Sequence, residues 1–268
     1  MKALVAALIA SLMAAPVFAC GADSKCDVGE RYYHIAMPDG HDGTTPVGVL
    51  IWAHGYGGSA AGVMQNTSLR RMVSDADLAL IAAQGVDGSW DLPYGPRTFD
   101  STGAAEFAYF DAVIADAASR FAINPDQIIA SGFSAGGMMV WNLACSHPRQ
   151  FAGFIPVSGT FWLKPPDTCV QPVSSIVHIH GDSDQTVPLT GRPIGPTKQG
   201  EVEDALSMYA AFGAFGPAEA STPDDLQCST RTNPEGKILE FCLFRGGHVL
   251  RTEYLKFALD RLRAAGQF

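Results

Sequence analysis

The sequence predicts an α/β fold in which a mostly parallel central sheet is covered by helices on both faces. Three observations carry that expectation. Short runs of β-branched and aliphatic residues alternate with stretches whose apolar residues recur at helical spacing. The 268 residues are 47% hydrophobic, which suits one large core rather than two small ones. Near the middle of the chain a strand pattern runs through a glycine-rich turn directly into a helical pattern, and no repeat or low-complexity tract breaks the alternation.

Residues 1–19 read as an export signal: Lys2, an apolar run over 3–10, and Val17-Phe18-Ala19 as a small-residue cleavage site. Ser11 and Pro16 interrupt the apolar run well short of the ~20 residues that span a bilayer, so no membrane span is expected. The mature chain is expected to begin at Cys20 and to form a single domain over 20–268. Lipidation of Cys20 is the alternative. Phe18 stands where small residues are expected, and acylating Cys20 would leave an odd number of cysteines, so disulfide pairing is preferred.

The first strand is expected at Val47–Ala53 and the next at Leu78–Ala83, followed by a long loop carrying Trp90. Phe107, Phe110, Val113, Ile114, Ala117 and Phe121 share one side of a helix over 104–121, which Asn124-Pro125 should end. A strand over 127–130 leads through Ser131 into the turn Gly132-Phe133-Ser134-Ala135-Gly136, and 135–144 reads as helix. Further strands are expected at 154–157, 175–179 and 239–244, with helices at 203–211 and 250–264. A proline- and glycine-rich loop over 189–200 is the one conspicuous insertion. The short stretch between the strands at 154–157 and 175–179 leaves no room for a large lid domain.

Six cysteines in an exported chain imply three disulfides, and 15 pairings of six are possible. Pairing each with its nearest unpaired neighbour joins Cys20 with Cys26, Cys145 with Cys169, and Cys228 with Cys242. No spacing resembles a zinc site, so no metal and no cofactor is expected. The formal charge of −9 makes nucleic acid a poor partner.

A lone G-x-S-x-G is a weak signal, because any glycine-rich turn can hold a serine. Context raises its value. Between a strand and a helix the glycines serve a strained serine backbone whose neighbours must have almost no side chain, so that Oγ projects outward. A serine hydroxyl is a poor nucleophile and needs an imidazole base oriented by a carboxylate. Downstream, the strand at 175–179 is followed by His180-Gly181-Asp182-Ser183-Asp184, and the strand at 239–244 by Gly246-Gly247-His248. His248 is the candidate base; His34, His41, His147, His178 and His180 read as structural. Asp182 and Asp184 are both candidates for the acid, and chemistry alone hardly separates them; the other reading of Asp182 is a carboxylate capping its own loop. Donors for a developing oxyanion are expected from the backbone N–H of Ala135, which begins a helix, and of Tyr56 in the loop His54-Gly55-Tyr56-Gly57-Gly58. Trp90 and Trp162 fall in loops where an aromatic could bind substrate; core packing is the equal alternative.

Three motifs together resemble one group: the loop His54-Gly55-Tyr56-Gly57-Gly58, the turn Gly132-Phe133-Ser134-Ala135-Gly136-Gly137-Met138, and His180-Gly181-Asp182-Ser183-Asp184 followed by Val187-Pro188. The chain is similar from about Cys20 onward to the polyhydroxybutyrate depolymerase and feruloyl esterase group of α/β-hydrolases. The resemblance implies an α/β-hydrolase fold, with Ser134 as nucleophile, Asp184 as the acid because it stands four residues after the histidine of the His-Gly turn, and His248 as the base after a Gly-Gly pair. It implies a secreted serine esterase acting on small or oligomeric esters, solid polymer being the weaker expectation without a separate surface-binding domain. The rival readings are an acyltransferase or serine peptidase using the same three residues, and a binding protein that keeps the scaffold without chemistry. Acyl chain, alcohol and oligomeric state are not written in these motifs.

Overall fold

The computed structural model describes residues 20–268; the expected export signal, 1–19, lies outside the described residues. In chain order the elements are β1 (Cys26–Val28), β2 (Arg31–Ala36), β3 (Val47–Ala53), α1 (Ala60–Gln65), α2 (Thr67–Asp75), β4 (Leu78–Ala83), α3 (Ala104–Arg120), β5 (Ile123–Phe133), α4 (Ala135–Ser146), β6 (Gly153–Val157) and β7 (Ile176–Gly181). There follow β8 (Arg192–Ile194), β9 (Thr197–Gln199), α5 (Val202–Phe212), β10 (Glu219–Ser221), β11 (Leu226–Thr232), β12 (Ile238–Phe244) and α6 (Thr252–Ala264). Ten strands form one sheet in the order β1-β2-β4-β3-β5-β6-β7-β12-β11-β10. From β4 to β12 every neighbouring pair is parallel, and antiparallel strands complete both edges.

The central strands are apolar at almost every position because a parallel sheet is buried on both faces. In β3 the side chains alternate: Val49, Ile51 and Ala53 enter one core cluster, Leu50 and Trp52 the other. Helices α3, α4 and α5 supply the first cluster, with Phe110, Trp141 and Tyr209 fully buried; α1, α2 and α6 supply the second, through Met64, Leu69 and Leu259. Each such large side chain is worth roughly 1.5–3 kcal/mol on burial, so the two-sided sandwich is the main source of stability. After β3 the chain crosses to β4 on one side and then returns to β5 on the other, so the carboxyl ends of β3 and β5 flank a crevice, the place where open α/β sheets bind ligands.

Two departures from the sequence reading have physical causes. Helix α3 stops at Arg120, ahead of Asn124-Pro125, and the latter pair lies inside β5. The register of β5 on β3 shifts there, Val47 facing Ile123 but Val49 facing Ile128, and Pro125, with no N–H for the ladder, is tolerated within this irregularity. The insertion at 189–200 contains the hairpin β8–β9, and its backbone is tied to the Trp162 segment by Leu163 N–H to Lys198 O at 2.7 Å and Gly200 N–H to Phe161 O at 2.8 Å. The short edge strands and α1 carry too little periodic pattern to stand out, whereas α2 places Leu69, Met72 and Val73 at helical spacing within only nine residues. Both helices start at caps, Ser59 Oγ accepting from Gly62 N–H and Asn66 Oδ1 from Leu69 N–H.

The three disulfides join Cys20 with Cys26, Cys145 with Cys169, and Cys228 with Cys242. The second ties the end of α4 to a loop 24 residues away. Closing a loop of that size restricts the unfolded chain by about 3 kcal/mol. The double variant Cys145→Ala, Cys169→Ala is therefore expected to lose about that much in urea unfolding, with native circular dichroism retained; a loss near zero would contradict the loop-closure account.

Candidate active site

The turn between β5 and α4 sets the site. Ser134 has φ 60° and ψ −119°, a region L-residues rarely occupy, and its N–H donates to Val157 O at 2.9 Å. The conformation is possible because the flanking glycines let backbones touch. A Cβ at Gly132 would stand 2.5 Å from the Gly136 carbonyl oxygen, and one at Gly136 would run into the Ala53 carbonyl at the end of β3. Helix α4 thus begins hard against the β3 terminus. Ser134 makes no side-chain cap on this helix, which leaves its hydroxyl to the crevice.

Two loops meet beside it. Gly181 at the end of β7 packs against the backbone of Gly246 and Gly247, so the segment 181–184 and the segment 245–248 lie against each other. Asp182 and Asp184, alike in the sequence, have different partners. Asp182 Oδ1 accepts from Gly246 N–H at 3.0 Å, so its capping bond goes to the neighbouring loop rather than to its own. Asp184 is buried, and its Oδ2 is 2.6 Å from His248 Nδ1 while its Oδ1 accepts from the Thr186 and Val187 amides at 2.8 and 2.9 Å. Burial pushes the Asp184 carboxyl upward; hydrogen bonds from His180, His248 and Val187 outweigh it and hold the group well below the usual carboxylate range. The His248 ring packs on Phe133, the residue before Ser134, with centroids 4.5 Å apart.

His180 belongs to this network as well, which a strand-end histidine does not advertise in sequence. Its Nε2 lies 2.8 Å from Val187 O and 3.4 Å from the same Asp184 oxygen that meets His248, and its Nδ1 lies 3.0 Å from His178 Nε2. An Nε2–H therefore faces two acceptors, a tautomer assigned from the hydrogen-bond pattern. Burial and the neighbouring His180 hold His178 well below the usual imidazole range, and the His178 Nδ1 is left without a partner among the described residues. Asp184 is thus clamped from the core side by His180 and from the crevice side by His248.

The loop after β3 brings Gly55 against the turn, a Cβ there standing 3.5 Å from Ser134 Cβ. The Gly57 and Gly58 amides donate to Gly88 O and Gly55 O, whereas the Tyr56 amide finds no acceptor among the described residues. The Ala135 N–H opens α4, where first-turn amides have no intrahelical acceptor. The Tyr56 side chain itself is 74% exposed at the rim. His54 anchors the loop: its Nδ1 lies 2.8 Å from Gly55 O, its Nε2 accepts from Gly85 N–H at 3.0 Å, and burial lowers its pKa.

Trp90 is packed in the core and also reaches the cleft. Its Nε1–H donates to His54 O at 2.8 Å and its ring packs on Phe110, yet it also lines the cleft above Ser134. Trp162 is partly exposed and lines the same cleft. The cleft has a volume of about 460 Å³; Leu92, Met138 and Ile194 contribute its apolar wall. The loop carrying Trp90 is held by Glu106, a carboxylate on the buried face of α3 that pairs with Arg31 at 2.8 Å and accepts from Asp91 N–H at 2.9 Å. A glutamate four residues before Phe110 on an apolar helix face was the available sequence signal. The one grouping of metal-type donors among the described residues is Cys228, Glu240 and Cys242, and its two sulfurs are joined to each other, leaving no thiolate to ligate.

The depressed Asp184 carboxyl has a thermodynamic consequence. A folded-state pKa below the unfolded value of ~3.9 contributes stability present above that pH and lost as pH falls toward the folded value. Asp184→Asn should therefore lower the urea midpoint at neutral pH and flatten its decline below about pH 4; an unchanged acid slope would contradict the assignment.

Residues 41–193, more than half of the chain, match the family described as phospholipase/carboxylesterase. The chain is 32% identical over 236 residues to the putative esterase NocK of Nocardia uniformis subsp. tsuyamanensis, covering 80% of this chain and 66% of that protein, just under two thirds of its length. It is 26% identical over 225 residues to the probable feruloyl esterase C of Aspergillus clavatus, covering 81% of this chain and 75% of that one. Among solved structures, an acetyl xylan esterase from Aspergillus awamori superposes with a TM-score of 0.63 at 13% identity, covering 89% of this chain and 95% of that one, a likeness of fold. With its mainly parallel sheet, its strained serine turn and these relatives, the chain belongs to the phospholipase/carboxylesterase family of α/β-hydrolases.

Proposed function

We propose that this chain is a secreted serine carboxylic-ester hydrolase working through an acyl-enzyme, with one catalytic unit over residues 20–268. The observation that carries the reading is the 2.6 Å contact of His248 Nδ1 with Asp184 Oδ2, next to a serine held at φ 60° at the mouth of a cleft. In this reading His248 Nε2 takes the Ser134 proton as Oγ attacks the ester carbonyl carbon. Asp184 keeps the hydrogen on Nδ1 and stabilises the imidazolium. The Tyr56 and Ala135 amides donate to the oxyanion, each such donor being worth roughly 3–4 kcal/mol of barrier. The imidazolium protonates the leaving alkoxide, and water, activated by the same imidazole, then releases the acid and restores Ser134.

The cleft's apolar wall and its two tryptophans suit acyl or aromatic groups. Feruloyl and acetyl esters and polyhydroxybutyrate-type oligoesters are the proposed substrate range, the first two being what the named relatives act on by name. Export is supported by the three disulfides, which persist in oxidising compartments, and among the described residues no helix is long and apolar enough to cross a membrane.

Ser134→Ala should abolish turnover of 4-nitrophenyl acetate and methyl ferulate while leaving circular dichroism unchanged; retained turnover would refute the reading. Asp184→Asn should lower kcat by several orders of magnitude, on the order of 10⁴-fold where the imidazole tautomer is lost, with KM less affected.

A further inference from the structure

The cleft carries a charge that ester hydrolysis does not use. The chain has 18 basic and 27 acidic residues, yet among the described residues no aspartate or glutamate lines the cleft and two arginines do, Arg97 and Arg192. Arg97 is partly compensated, its guanidinium lying 3.5 Å from the exposed Asp87 carboxylate. Arg192 has no carboxylate partner among the described residues, and its position is built rather than accidental. It opens β8 in the insertion at 189–200, and its Nε donates to Thr186 O at 2.8 Å and lies 3.2 Å from Oε1 of the buried Gln199. Both bonds use Nε, so the paired Nη donors are free to face the cleft. Gln199 also bridges to Trp162 across the strand edge, which makes Trp162, Ile194 and Arg192 parts of one wall.

We infer that the preferred substrates of this cleft are esters that carry a second, anionic group, a carboxylate, recognised by Arg192 with Arg97 at the rim. The inference rests on the esterase reading and narrows its substrate class. A guanidinium fixed through Nε presents its remaining donors as a fork, the geometry that binds a carboxylate through two parallel bonds. Arg192 itself is exposed, so solvent and salt screen the pair and its contribution is that of a surface ion pair held in a fixed geometry. The chain's net negative charge acts the other way at long range, repelling anions, so recognition is expected in KM and to depend on salt.

The test compares matched ester pairs in the full-length mature protein. On the acyl side the pair is 4-nitrophenyl hydrogen glutarate and 4-nitrophenyl pentanoate; on the leaving side it is 4-acetoxybenzoate and 4-methylphenyl acetate. The readout is the ratio of kcat/KM for the charged over the neutral partner, so any general effect on the machinery cancels. Arg192→Gln should lower that ratio by about two- to fivefold in one of the two pairs, mostly through KM, the size of one solvent-exposed ion pair. Arg192→Lys should retain a substantial part of it, and Arg192→Glu should lower it further. The pair that responds tells which side of the ester carries the carboxylate. Equal ratios in wild type, Arg192→Gln and Arg192→Glu for both pairs would overturn the inference while leaving the esterase reading intact. Wild-type protein that turns over none of the four esters would instead sink the esterase reading, and this inference with it.

Discussion

Everything at the site depends on how closely the first turn of α4 approaches the end of β3. Gly136 packs on the Ala53 carbonyl and Gly132 on the Gly136 carbonyl, and only that contact allows the chain to turn from strand to helix within one residue. The cost falls on Ser134, whose φ of 60° is unfavourable for an L-residue by about 1–3 kcal/mol. The surrounding parallel ladder, with β5 hydrogen-bonded on both sides, holds the turn in place. The strain therefore buries no side chain and fills no cavity. Its effect is to leave the Ser134 hydroxyl uncapped at the cleft.

The second layer of organisation is a chain of polar groups running from the core to the cleft. His178, His180, Asp184 and His248 are each within hydrogen-bonding reach of the next, and the buried members sit where a polar group without partners would be costly. Asp184 meets that cost through four directed contacts, two of them backbone amides from its own loop. His54 does the same for the loop ahead of the serine, bonding on both ring nitrogens. In both places a buried imidazole acts as a two-ended strut that aims backbone rather than as a proton carrier.

Much of this was legible in the chain because it is encoded locally. The continuous apolar runs of β3, β4 and β6 could only be strands buried on both faces, and the helical spacing of Phe107, Phe110, Val113 and Ala117 could only suit a helix covering them. The glycines around Ser134 are legible for the same reason, since a close backbone approach excludes every other residue. Nearest-neighbour cysteine pairing corresponded to the tertiary arrangement because Cys228 and Cys242 face each other in one hairpin, Cys20 and Cys26 are six residues apart, and Cys145 at the end of α4 meets the loop after the next strand, β6.

What stayed illegible depends on elements distant in sequence. Asp182 and Asp184 are two residues apart in the same polar run, and their own chemistry does not tell them apart; only the family resemblance favours Asp184, and the approach of Gly246 to Gly181 gives one an amide and the other an imidazole. Trp90 could be core or cleft until the His54 carbonyl and the Phe110 ring made it both. Arg192 reads as one more charge in a proline- and glycine-rich insertion until the hairpin folds back on the Trp162 segment. The sequence by itself determined the alternation of strands and helices, the strained serine turn and the order of candidate nucleophile, acid and base, because backbone sterics and burial act within a few residues. Only the tertiary structure decided which carboxylate meets the imidazole and which charges face the cleft, because hydrogen bonds between loops are set by where the strands end.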